Sequence, residues 1–109
     1  MTNEQLRQLA KMKKLIVKGH KKFVNCNDRD YIQELLDIGI TEETAWQEIL
    51  TLSANDYVHD YKPIYSIVGN SALTFKKYIN NNLVYIKLKI EEYTNNDVTV
   101  CLSFHIDHK

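Results

Sequence analysis

Apolar residues recur along this chain at two spacings, and the change from one to the other divides it. In the first segment Leu6, Leu9, Met12 and Ile16 fall three or four residues apart, which lines one face of a helix. Thr2 or Asn3 is placed to cap it, Glu4 puts negative charge in its first turn, and Gly19 stops it. A linker over 20–26 follows, with Phe23 and Val24 expected to tuck against the core. Asn27 or Asp28 then starts a second helix, with Tyr31, Leu35 and Ile38 on its stripe, Ile32 and Leu36 beside it and Gly39 at its end. Thr41 caps a third, whose buried face is Ala45, Trp46, Ile49 and Leu50. Residues 52–56 form a turn with Ser53 as cap and Asp56 three residues on. Val58 to Lys62 reads as a short strand interrupted by Pro63, and 64–71 as a loop.

From Ala72 the spacing becomes two. Leu73, Phe75 and Ile79 alternate with Thr74, Lys76 and Tyr78. Val84, Ile86, Leu88 and Ile90 alternate with Tyr85, Lys87, Lys89 and Glu91. Val98, Val100, Leu102, Phe104 and Ile106 alternate with Thr99, Cys101, Ser103, His105 and Asp107. Asn80-Asn81 is a tight hairpin turn, because asparagine tolerates positive φ, and 94–97 is a second turn. Three consecutive antiparallel strands result, apolar on one face and polar on the other. The helices must cover the apolar face. The fold class expected is α+β in one domain spanning 1–109: N-terminal helices packed on a small antiparallel sheet.

Composition narrows the function. The 109 residues hold no apolar run approaching the ~20 that cross a bilayer, so no membrane role is expected. Residues 1–14 lack the apolar stretch of a secretory signal. Cys26 and Cys101 are far apart and form no CxxC, which suits free thiols in a reducing cytoplasm. The formal net charge is zero, but it is unevenly laid out. Residues 1–24 carry seven Lys or Arg against Glu4, residues 25–60 carry nine Asp or Glu against Arg29, and six Lys face four acids from Tyr61 onward. Such blocks are either solvated helix faces or one surface for an anion and another for a cationic partner.

The polar face of the sheet is where chemistry gathers. Face matching across the last hairpin allows Tyr85 or Lys87 opposite His105, and a two-residue turn at Asn80-Asn81 puts Lys76 opposite Tyr85. The row is Lys76, Tyr85 and His105, with Lys87, Lys89 and Tyr78 beside it and Glu91 the one acid at its edge. Cleavage of RNA by its own 2′-hydroxyl needs a base, an acid and cations for the phosphorane charge, and no cofactor or metal. Histidine supplies the first two near neutrality, lysine the third, and tyrosine donates a proton or stacks on a base. A plain wet face of a sheet carries the same residue types. His105 and His108 fall on opposite sides of a strand, which is a poor metal pair. CxxC, HExxH, GxGxxG, P-loop and GxSxG motifs are absent from the sequence.

Three segments resemble the MqsR-type mRNA interferases, toxins of toxin–antitoxin pairs. Leu52-Ser53-Ala54-Asn55-Asp56-Tyr57 is similar to their Leu-Ser-x-x-Asp-aromatic signature. Val84-Tyr85-Ile86-Lys87-Leu88 is similar to their Val-Tyr-Leu/Ile-Lys strand. Val100 to His105 resembles their terminal Ser-Phe-Lys/His strand, and Lys13-Lys14-Leu15 with Gly19 fits their first helix. The resemblance implies a RelE-like, RNase-like α+β fold and metal-independent cleavage of single-stranded mRNA at a short sequence. It also implies a cytoplasmic setting and a cognate antitoxin protein as partner. It makes Tyr85 the functional tyrosine. His59 stands where the family has a lysine, and the family's glutamine has no clear counterpart, Lys76 and Thr74 being the candidates. The catalytic set expected is Tyr85, His105, His59 and Lys76, with Lys87, Lys89, Tyr78 and Lys77 as RNA contacts. The competing expectation is a non-catalytic binding protein of mobile-element origin, such as an inhibitor of a host nuclease. It is motivated by the zero net charge, the acidic middle block and the departures at His59 and Lys76.

Overall fold

A computed structural model describes residues 1–25, 30–58 and 72–107. His59, Cys26, His108, the strand expected to run on from Val58 and the loop expected over 64–71 lie outside the described residues. Within them the chain forms α1 (Asn3–Val17), β1 (Lys21–Phe23), α2 (Tyr31–Ile38), α3 (Glu42–Leu50), a 3-10 turn (Ala54–Asp56), β2 (Leu73–Ile79), β3 (Asn82–Glu92) and β4 (Asp97–Ile106). Three helices pack on a four-stranded mixed sheet ordered β1-β4-β3-β2, an α+β architecture.

Local chemistry explains most of the boundaries. Thr2 caps α1 reciprocally: its Oγ1 accepts from the Gln5 amide at 3.1 Å, and its own N–H donates to Gln5 Oε1 at 2.9 Å. Ser53 and Asp56 repeat the device on the 3-10 turn, where Asp56 Oδ2 accepts from the Ser53 N–H at 3.0 Å. The Ser-x-x-Asp signature is therefore a capping box. Tyr57, which follows it, accepts a 2.8 Å hydrogen bond from Gln5 Nε2 and sets its ring edge-on against Phe75. Lys13 Nζ donates to the Leu52 carbonyl at 2.5 Å, tying α1 to the same corner. Asn80 and Asn81 sit at φ 51° and 66°, as the tight hairpin requires. Asn80 Nδ2 also donates to the Ile38 carbonyl at 3.1 Å, so the hairpin tip satisfies the C-terminus of α2 beside Gly39 at φ +88°.

The structure corrects the sequence reading in five places. Helix α2 starts at Tyr31 with Asp30 as its cap, later than Asn27 or Asp28, because the Asp30 carboxylate accepts from the Ile32 N–H. Leu6 is 42% exposed and Leu15 takes its place against the core. Ile32 and Leu36, expected beside the buried stripe of α2, are 56% and 64% exposed. The linker contains a strand: β1 pairs parallel with β4, Phe23 beside Cys101, too short and too lysine-rich to show a period.

The fifth correction is the largest. The β3–β4 pairing slips between Lys87 and Leu88, so that Lys87 faces Ser103 while Leu88 faces Cys101, leaving Leu102 as an extra residue. This β-bulge reverses the faces of the first half of β4. Thr99 and Cys101, expected on the polar face, are buried against the helices, and Thr99 Oγ1 donates to the Met12 carbonyl at 3.0 Å. Val98 and Leu102 are only half-buried, and Val100 is buried as expected but on the face away from the helices. Val100 lies across from Lys22 and Lys89, and long lysine stems shield apolar surface of this kind.

Burial pushes the Cys101 thiol well above the usual cysteine range. A Cys26→Ser chain is expected to resist a water-soluble disulfide reagent when native and to react stoichiometrically in denaturant. Rapid native labelling would place Cys101 on the open face and remove the bulge.

Candidate functional site

Beyond the bulge the register is regular, and it assembles the expected row. Lys76 pairs with Tyr85 across β2–β3, and Tyr85 pairs with His105 across β3–β4. Of the two alternatives for His105, Tyr85 is its neighbour and Lys87 is not. The Tyr85 and His105 rings stack, with centroids 5.1 Å apart and planes 19° apart. His105 Nδ1 lies 3.0 Å from the Ile106 carbonyl oxygen. A carbonyl only accepts, so this bond holds a proton on Nδ1 and leaves Nε2 of the neutral ring as the basic nitrogen.

The face is less purely cationic than the sequence suggested. Asp107 Oδ2 lies 2.8 Å from Lys76 Nζ, and the two side chains are 13% and 25% exposed. Asp107 lies two residues past His105 on the same face, which is the signal that identifies it. Glu91 is also central to its own end of the sheet. One oxygen pairs with Lys89 at 3.2 Å; the other accepts from the Tyr93 hydroxyl at 2.5 Å and lies 3.6 Å from Lys22 Nζ. The Tyr93 hydrogen bond, reinforced by Lys89 and Lys22, holds the Glu91 carboxyl below the usual glutamate range.

The remaining candidates divide. Lys87 is on the face away from the helices, with Ser103 and the buried Thr74 as cross-strand neighbours. Lys89 is there too, held by Glu91. Tyr78 stands at the hairpin end of β2, 73% exposed, as a free aromatic plane. Lys77 is separated from the row. It shares the inward parity of Phe75 and Ile79, and its ammonium reaches Glu48 Oε1 at 2.9 Å and Thr51 Oγ1 at 2.6 Å, at the C-terminus of α3. A cation there complements the helix dipole, so Lys77 anchors helix to sheet. No three His, Cys, Asp or Glu side chains gather in a ligating cluster among the described residues.

No protein-family model, curated protein or solved structure matches this chain.

Two outcomes follow from the geometry. Lys76→Met and Asp107→Asn should each destabilise the fold by about 1–2 kcal/mol, because each removes one half of a largely desolvated ion pair. The double variant should lose less than the sum, and strict additivity in denaturant titrations would show the pair to be energetically idle. Glu91 has a depressed folded pKa, so its stabilisation is complete above the unfolded value and is lost as pH falls through the folded one. Its carboxyl carbon should titrate below the ordinary glutamate range by NMR, and Tyr93→Phe should move that midpoint upward.

Proposed function

We propose that this chain is a metal-independent endoribonuclease acting on single-stranded mRNA, of the MqsR-like toxin kind that its motifs resemble. On this reading it is restrained in the bacterial cytoplasm by a cognate antitoxin protein. The observation that carries the proposal is the stacked Tyr85–His105 pair in register with Lys76 on the sheet face turned away from the helices.

The chemistry follows from those groups. His105 Nε2 takes the proton of the 2′-hydroxyl, and the resulting oxyanion attacks the adjacent phosphorus. The O2′–P bond forms as the P–O5′ bond breaks, giving a 2′,3′-cyclic phosphate and a free 5′-hydroxyl. Tyr85, ring against ring with the base, gives its proton to the leaving oxygen. Lys76, steadied by Asp107, meets the charge that grows on the phosphorane. Lys87 and Lys89 draw the backbone along the face, and Tyr78 is a platform on which an unpaired base stacks. Lys77 has no part in this arrangement, and His59 is a candidate through the resemblance alone.

The test is a long single-stranded RNA incubated with the protein in EDTA, with its ends mapped and their chemistry determined. Cuts at a recurring short sequence with cyclic-phosphate ends are expected. His105→Ala and Tyr85→Phe should each cost about 10²- to 10⁴-fold in rate while keeping native circular dichroism. Intact RNA at high protein concentration, or full activity in both variants, overturns the assignment.

A further inference from the structure

Beside the stacked pair, one step nearer the Asn80-Asn81 turn, a second row of side chains crosses the sheet. Tyr78 of β2 pairs with Leu83 of β3, and the Asp107 N–H donates to the Leu83 carbonyl at 2.8 Å, which brings the end of β4 alongside. All three share the face of Lys76, Tyr85 and His105. Side chains paired in such a row stand about 5 Å apart at Cβ, and successive rows on one face lie about 7 Å apart along the strands. Unlike the core residues, this row is within reach of a ligand. Tyr78 is 73% exposed. Leu83 is half-buried, and the Asp107 side chain keeps 13% of its surface exposed while Oδ2 pairs with Lys76.

Each group suits a different part of a nucleobase. Tyr78 offers an aromatic plane for stacking. Leu83 is an apolar floor between the two flanking strands. Asp107 is a hydrogen-bond acceptor at the far side. A base laid over Leu83, with one face against the Tyr78 ring, turns its outer edge toward Asp107. An ionised carboxylate has about four acceptor positions and no donor, so the ion pair with Lys76 does not exhaust it. Cytosine and adenine carry an amino group on that edge, whereas uracil and guanine carry a carbonyl oxygen. The carboxylate accepts from the first pair and repels the second.

We propose that Tyr78, Leu83 and Asp107 form a base subsite that selects cytosine or adenine, over uracil or guanine, for the nucleotide next to the scissile phosphate. The inference rests on the ribonuclease reading for the place of that phosphate at the Lys76–Tyr85–His105 row. Asp107 then has two ties, one to the base and one to the cation, so the identity of the base bears on where the Lys76 ammonium is held.

The probes are trimers of 2′-O-methylcytidine and of 2′-O-methyluridine, titrated against the full chain while the Tyr78 ring protons are followed by NMR. A methylated 2′-oxygen cannot attack, so binding is read without cleavage. The cytidine trimer should move the Tyr78 signals upfield and saturate, and the uridine trimer should bind about tenfold more weakly. Asp107→Asn, whose amide both donates and accepts, should bring the two trimers within about threefold of each other. Tyr78→Ala, at an exposed position, should weaken both trimers, and Tyr78→Phe should restore them. Equal binding of the two trimers by the native chain, a preference unchanged in Asp107→Asn, or binding unaffected by Tyr78→Ala overturns the proposal. Intact RNA in the cleavage assay together with the cytidine preference overturns the catalytic reading alone.

Discussion

Side chains alternate faces along a strand, so the pairing of β3 with β4 decides at once what reaches the helices and what reaches the open side. Val84, Ile86, Leu88 and Ile90 of β3 are all inward and buried. Their partners in β4 must be inward too, and the chain supplies Ile106, Phe104, Cys101 and Thr99 for that purpose. No unbroken alternation selects that set. The extra residue at Leu102 does, shifting the parity between Phe104 and Cys101. The same step lets β1 join, because Phe23 reaches the core only when its neighbour Cys101 also points inward. It leaves Tyr85 opposite His105 and Lys87 opposite Ser103 on the face away from the helices. Core, fourth strand and candidate site therefore rest on one irregularity in one hairpin.

That dependence accounts for what was legible in the sequence and what was not. The capping residues Thr2, Thr41 and Ser53, the Asn80-Asn81 turn and the Lys76–Tyr85 pairing are local matters, settled by a few neighbouring residues, and the structure agrees with each. A bulge is not local in this sense. Val98, Val100 and Leu102 alternate with polar residues as regularly as any strand, so periodicity assigns them to the core. What periodicity does not register is that the Thr99 hydroxyl, once buried, finds an acceptor in the Met12 carbonyl of α1, which makes that face of β4 tolerable inside. β1 was illegible for a different reason: three residues, two of them lysine, hold no period.

The candidate site was legible as a set of positions and less so as a set of charges. Its row follows from turn length and face parity. Its ion pairs depend on where long side chains end. Lys77 neighbours Lys76 in sequence, yet the pleat sends it to Glu48 on the helix side while Lys76 meets Asp107 on the open side. Zero net charge likewise says little, because the charges are sorted by segment. Lysines 22, 76, 87 and 89 face outward on the sheet with Glu91 and Asp107. The segment 30–58, holding α2 and α3, contains acids and no Lys or Arg.

A carboxylate among lysines looks like a handicap for a face proposed to hold a polyanion, yet the balance favours reaction over mere binding. A ground-state phosphodiester carries one negative charge and must compete with Asp107 for the Lys76 ammonium. The phosphorane formed by attack of the 2′-oxyanion carries more charge at the same place, so it competes better. An interaction that strengthens between ground state and transition state raises turnover, whereas one already complete in the ground state only tightens the complex. Asp107 also keeps the flexible lysine stem in one geometry, so the cation need not be ordered at the moment of reaction. Glu91 exerts the same restraint on Lys89 and Lys22 at the far end of the sheet. On the proposed reading, the two acids make the face a weaker trap for RNA and a better-positioned one for its transition state.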